Sequence, residues 1–159
     1  MQMLCEVEPS YMNSPASQLI RRAVYMLFVA LLLTHTIAGA DSYTSPETIA
    51  GTTKIDAEDL IELVNKSEHP IIIDSRISSD RKQGYIPGST SLPDTDTNCD
   101  SLAGLIPEKS VPVVFYCNGP RCRRSDNAVV IAAACGYTSI FWFRGGIEAW
   151  RAGNYPIAK

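Results

Sequence analysis

Three apolar runs punctuate the chain beyond residue 70, and each stops at polar or turn-forming residues. Ile71-Ile72-Ile73 follows Pro70 and ends in Asp74-Ser75-Arg76; Val113-Val114-Phe115-Tyr116 follows Pro112 and delivers Cys117 into Asn118-Gly119-Pro120; Ile140-Phe141-Trp142-Phe143 ends in Arg144-Gly145-Gly146. Continuous β-branched and aromatic runs of this length predict strands buried on both faces, as in a parallel sheet. Between them the period changes to that of helices. Asp56 predicts an N-cap with Asp59 as its acidic counterpart, followed by an apolar stripe of Leu60, Ile61, Leu63 and Val64. Ser125 or Asp126 predicts the cap of a second helix that runs through Val129, Val130, Ala133 and Ala134 to a Gly136 stop. A short helix from Ile147 to Arg151 would pack Trp150 on the sheet. Gly84-Tyr85-Ile86-Pro87-Gly88-Ser89 reads as turns, Ser91-Leu92-Pro93 as a short strand, and Asp94 to Asp100 as an acidic loop that carries Cys99. Alternating strands and helices predict an α/β domain with right-handed crossovers.

The first forty residues have a different pattern. Residues 1–22 are polar, contain Pro9 and Pro15, and are expected to be unstructured up to Arg21-Arg22. Ala23 to Ala40 is apolar and free of charge, and ends in Ala38-Gly39-Ala40 before Asp41, the pattern of a cleaved export signal. The alternative is a membrane anchor over residues 23–40, whose length approaches the roughly 17–25 residues of a spanning helix. Thr34, His35 and Thr36 break the apolar run at that end. The expected organisation is a signal or anchor over 1–40, a solvated linker over 41–53 and a folded domain over 54–159, placing the protein in the periplasm, outside the cell, or anchored to the membrane.

Composition narrows the chemistry. With 159 residues and 45% apolar content, the chain suffices for one globular domain behind a leader. A net charge of −3 leaves no footprint for nucleic acid, and the only dense basic cluster is Arg121, Arg123 and Arg124, which points to a small anion. Five cysteines without a C-x-x-C pair, and two histidines, make neither a zinc framework nor a disulfide-stapled miniprotein, so no metal and no cofactor is expected. Cys117 is the candidate nucleophile. It lies between the end of a strand and the start of a helix, where unpaired N–H groups and nearby arginines favour thiolate. The amides of Asn118 to Arg124 would form a nest for an anion. Asn118, Gly119, Arg121, Cys122, Arg123 and Arg124 are therefore the candidate substrate-binding residues, with Asp74 and Arg76 in support. Asp74 is expected in a buried salt bridge, and Cys99 as a plain loop residue.

Together, IIIDSR, GYIPGS, VVFYC with its arginine-rich loop, and FRGGIEAWRAGNYPI resemble a single rhodanese domain over about Ile55 to Ile157. The resemblance implies a rhodanese-like five-stranded, mostly parallel sheet flanked by helices. It also implies a sulfurtransferase in which Cys117 holds a persulfide, taken from a small anionic donor such as thiosulfate and passed to a thiol or other thiophilic acceptor. Asp74, Arg76, Gly88, Gly145, Gly146 and Trp150 match framework positions, whereas Tyr85 stands where a histidine is common. The loop departs further: Arg124-Ser125 comes about two residues late, and Pro120 and Cys122 lie inside. Two alternatives stay open, a cysteine phosphatase of the same fold, since five residues separate Cys117 from Arg123, and a non-catalytic sulfur-carrier or binding module. Cys122 is either a small residue filling a turn or a resolving thiol for Cys117.

Overall fold

A computed structural model describes residues 42–66 and 69–159, and ahead of them positions 18, 19, 21, 22, 24 and 25. The chain divides into two units between Asp41 and Ser42. In the first, Gln18, Leu19, Arg21, Arg22, Val24 and Tyr25 are helical and exposed. That corrects the unstructured reading at Gln18, Leu19, Arg21 and Arg22, which are good helix formers. The remainder of the apolar run and its cleavage pattern lie outside the described residues.

In the second unit β1 (Thr53–Ile55), α1 (Ala57–Asn65), β2 (Ile71–Asp74), α2 (Ser78–Arg81), β3 (Thr90–Ser91), α3 (Cys99–Leu105), β4 (Val113–Tyr116), α4 (Arg124–Ala134), β5 (Ile140–Phe143) and α5 (Gly146–Ala152) follow in order. The strands form one sheet, ordered β1-β5-β4-β2-β3, and every pairing is parallel. Alternate residues of β4 serve opposite faces. Val113 and Phe115 join Leu102, Ile106, Ala128, Val129 and Trp142 beneath α3 and α4. Val114 and Tyr116 join Leu60, Ile86, Phe143, Ile147 and Trp150 beneath α1 and α5. Burying Phe115 and Phe143 contributes about 1.5–3 kcal/mol each, which is why these runs lack polar positions.

The capping box of Asp56 and Asp59 starts α1 as expected. Val64 was assigned to its apolar stripe but is exposed. α4 begins at Arg124 with no side-chain cap, so Ser125 and Asp126 lie inside its first turn and their side chains are engaged elsewhere. Gly136 ends that helix at φ 86°, a left-handed conformation suited to glycine. Asp94 to Asp100 is not all loop: Asn98 caps α3, its Oδ1 accepting from Asp100 N and Ser101 N, and Cys99 is the first helical residue. The short strand covers Thr90–Ser91, and Pro93 has no N–H to continue it.

Candidate active site

β4 is the central strand, and Cys117 follows its last residue at the carboxyl edge of the sheet, only 1% exposed. Two elements fix it there. From α4, Ser125 Oγ donates to Cys117 Sγ at 3.1 Å and accepts from Trp142 Nε1 at 3.2 Å. From α5, the amides of Ile147 and Glu148 donate to the carbonyls of Cys117 and Asn118, both at 2.9 Å. This approach explains the glycine pair. Gly146 has φ 56°, and a Cβ there would stand 2.3 Å from Cys117 O. With the first two loop carbonyls held by α5, the loop amides turn toward the sulfurs.

The second thiol shares this seat. The loop turns back through a Cys122 N–H to Gly119 O bond of 2.9 Å, which leaves Cys117 Sγ 3.1 Å from Cys122 O. The Cys117 thiol donates to that carbonyl, and the Asn118 and Arg124 amides favour negative charge on the Cys122 side chain beside it. The hydrogen bond to Cys122 and then burial push the Cys117 thiol far up. The partner end of the same bond brings Cys122 down to about 6 against its own burial, helped by the two amides and the Arg124 charge. Of the two, Cys122 is the more exposed sulfur and the one on which negative charge is favoured. This corrects the expectation of a favoured thiolate at Cys117: its thiol is pushed up, and the favoured charge lies on Cys122.

The model of the rhodanese-like domain matches residues 56–153. The chain belongs to that family. Among curated relatives it is 31% identical over 110 residues to a sulfurtransferase of Allochromatium vinosum, covering 65% of this chain and 92% of the relative. It is 26% identical over 133 residues to the uncharacterised protein YibN of Escherichia coli, covering 83% and 87%. Among solved structures, the BH2092 protein of Bacillus halodurans superposes with a TM-score of 0.60 at 26% identity, covering 87% of this chain and 85% of that one.

In this rhodanese-like domain the arginines of the loop have separate tasks. Arg124 pairs with Asp94 at 2.8 Å, and Arg123 lies 4.2 Å from the centre of the Tyr43 ring. Arg121 is exposed, with no side-chain partner among the described residues. The Asn118 side chain donates to Asp80 at 2.9 Å, so Asn118 offers the site its amide, and Gly119 packs against Glu148. Asp74 and Arg76 form a pair under 2% exposed, joined through Nε at 2.9 Å and Nη2 at 2.7 Å. Arg81 and the Tyr116 hydroxyl complete the shell of Asp74 at 3.0 and 2.8 Å. Burial raises the Asp74 carboxyl, but the Arg76 and Tyr116 hydrogen bonds and the Arg76 charge outweigh it and hold it below its ordinary value. These residues brace the loops that follow β2 and do not hydrogen-bond either loop sulfur.

Three features went unread in the sequence. The expected linker is docked at two residues: Ser45 is buried, its amide donates to Pro120 O at 2.7 Å, and its hydroxyl and that of Tyr43 donate to Asp126. Arg144 clamps the same segment through Ser45 O at 2.8 Å and Pro46 O at 2.9 Å. Cys99 is no plain loop residue, because it forms a disulfide with Cys135 at the end of α4. Ser75 follows β2 one step past the Asp74–Tyr116 register pair, level with Cys117, and its Oγ is buried without a partner among the described residues. Among the described residues no group of three or more His, Cys, Asp or Glu side chains is placed to hold a metal ion.

Proposed function

We propose that this domain is a sulfurtransferase in which Cys117 carries sulfane sulfur as a persulfide. The observation that carries the reading is the seat of Cys117: a buried thiol at the carboxyl edge of the central strand, bonded by Ser125 and facing a loop whose carbonyls are tied back by α5. Arg121 and the loop amides supply positive potential at the mouth for a donor such as thiosulfate. As the donor enters, the Cys117 proton moves to Cys122 and leaves Cys117 as thiolate. Cys117 sulfur attacks the outer sulfur of thiosulfate, the S–S bond breaks, and sulfite departs with the bonding pair. The product is a Cys117 persulfide anion, which a thiol or other thiophilic acceptor collects. A phosphatase would need Arg123 and a free acid near the nucleophile. Here Arg123 stacks on Tyr43, and Asp126 accepts from Tyr43 and Ser45.

Export is part of the proposal. A disulfide between α3 and α4 suits an oxidising compartment, in line with the apolar run and Ala38-Gly39-Ala40. The function is tested by sulfite release from thiosulfate with an acceptor present. Cys117→Ser should abolish it, since the hydroxyl is not ionised. Sulfite release at the wild-type rate in that variant, or steady hydrolysis of an aryl phosphate by the wild type, overturns the reading.

A further inference from the structure

We infer that Cys122 is the resolving thiol of this site: it displaces hydrosulfide from the Cys117 persulfide, forming a Cys117–Cys122 disulfide that an external dithiol must reduce. The inference rests on the persulfide reading above and adds a second product and a second class of partner. It stands on geometry. Cys122 is the neighbour of Cys117 within the same turn, and its carbonyl accepts from Cys117 Sγ at 3.1 Å. Cys122 is also the more exposed of the two, and the Asn118 and Arg124 amides favour charge on its sulfur. A thiol on the same turn as its target gains effective concentration over a free thiol. The other described cysteines, Cys99 and Cys135, are already paired with one another, which leaves Cys117 and Cys122 as the free thiols of the domain.

The step balances. After sulfite has left, the persulfide anion on Cys117 faces the Cys122 thiol. Cys122 sulfur bonds to the inner sulfur, the bond to the outer sulfur breaks, and the outer sulfur leaves with that pair and the Cys122 proton as hydrosulfide. The sulfane sulfur is reduced by two electrons, and the two cysteine sulfurs are oxidised by one each. Restoring the pair takes two electrons from a dithiol. Its first thiolate attacks Cys122, the more exposed sulfur, releasing Cys117, and its second closes the dithiol's own disulfide and frees Cys122. Overall, thiosulfate and a dithiol give sulfite, hydrosulfide and a disulfide.

The test is a single turnover of full-length protein, with Cys117 and Cys122 reduced and the Cys99–Cys135 disulfide intact, using equimolar thiosulfate and no added thiol. Sulfite and sulfide are assayed, and the quenched protein is mapped with trypsin without reduction. Cleavage after Arg121 separates the two cysteines, so a disulfide keeps their peptides together. The expected result is sulfite followed by equal sulfide, with linked peptides. Cys122→Ser should give sulfite, no sulfide, and one sulfur retained on the Cys117 peptide; the readout is stoichiometry rather than rate. Sulfite without sulfide from the wild type, with Cys122 still open to alkylation, overturns the inference and leaves the persulfide standing. Absence of sulfite from the wild type removes the persulfide reading and this inference with it.

Discussion

Removing the Cys99–Cys135 disulfide should destabilise the domain severely and leave the reactive loop in place. The cross-link spans 36 residues. For a closed loop of that length, chain-entropy loss in the unfolded state corresponds to about 4 kcal/mol. Cys99 is exposed and Cys135 half-buried, so Cys99→Ala/Cys135→Ala adds little cavity cost and the entropic term dominates. Against a total stability of roughly 5–15 kcal/mol this is a large share, equivalent to a fall in Tm of roughly 15 °C. Urea unfolding followed by far-ultraviolet circular dichroism gives the difference directly. Sulfite release per folded molecule should persist at room temperature, because the disulfide grips the end of α4 opposite Ser125. A loss below about 1 kcal/mol would refute the entropic argument. Loss of sulfite release in a variant that remains folded would mean that the cross-link positions Ser125 after all.

Other expectations follow from single groups. Asp74→Asn strands a buried Arg76 and should cost roughly 3–5 kcal/mol near neutral pH. Because the folded-state pKa of Asp74 is depressed, its stabilisation is complete above the unfolded value near 3.9 and vanishes as pH falls through the folded value; urea unfolding should therefore find wild type and variant converging in acid, and a constant gap would contradict this. Gly146→Ala forces a Cβ against Cys117 O from a left-handed backbone, with strain of about 1–3 kcal/mol. A folded variant should lose at least about tenfold in sulfite release; wild-type rates would show that the close approach of α5 is dispensable. Alkylation of Cys122 should rise with pH through a midpoint of about 6, as thiolate forms above it, and Cys117→Ala should move that midpoint upward. A wild-type midpoint near the free-cysteine value of about 8.5 would deny the thiol pair.

The sheet and its reactive edge were legible because apolar runs closed by Pro, Gly and polar residues admit few readings. β2, β4 and β5 lie where the runs placed them, and the glycine pair after Arg144 is where α5 approaches the Cys117 carbonyl. The loop sequence pointed to a thiolate at Cys117, whose thiol is instead pushed up. Which sulfur would bear the charge was not legible, since that depends on a hydrogen bond between two side chains and on which amides meet which sulfur. Arg123 and Asp126 were similarly opaque: a polar segment far away in sequence, Tyr43 to Ser45, engages both, and Ser, Thr and Pro content alone reads as solvated. The Cys99–Cys135 pairing has no local signal, because it depends on α3 and α4 lying side by side. Ser125 looked like a helix cap, and only the backbone entering α4 from Arg123 turns its hydroxyl to Cys117.

The central claim, that Cys117 carries the sulfur, is tested most directly by mass spectrometry of the Cys122→Ser protein after thiosulfate treatment. Trypsin cleavage after Lys109 and Arg121 isolates residues 110–121, a peptide in which Cys117 is the sole cysteine. The account predicts that this peptide gains the mass of one sulfur, lost again on treatment with a dithiol, and that the gain matches the sulfite released. An unmodified peptide alongside stoichiometric sulfite, or sulfur found only on another cysteine, would contradict it.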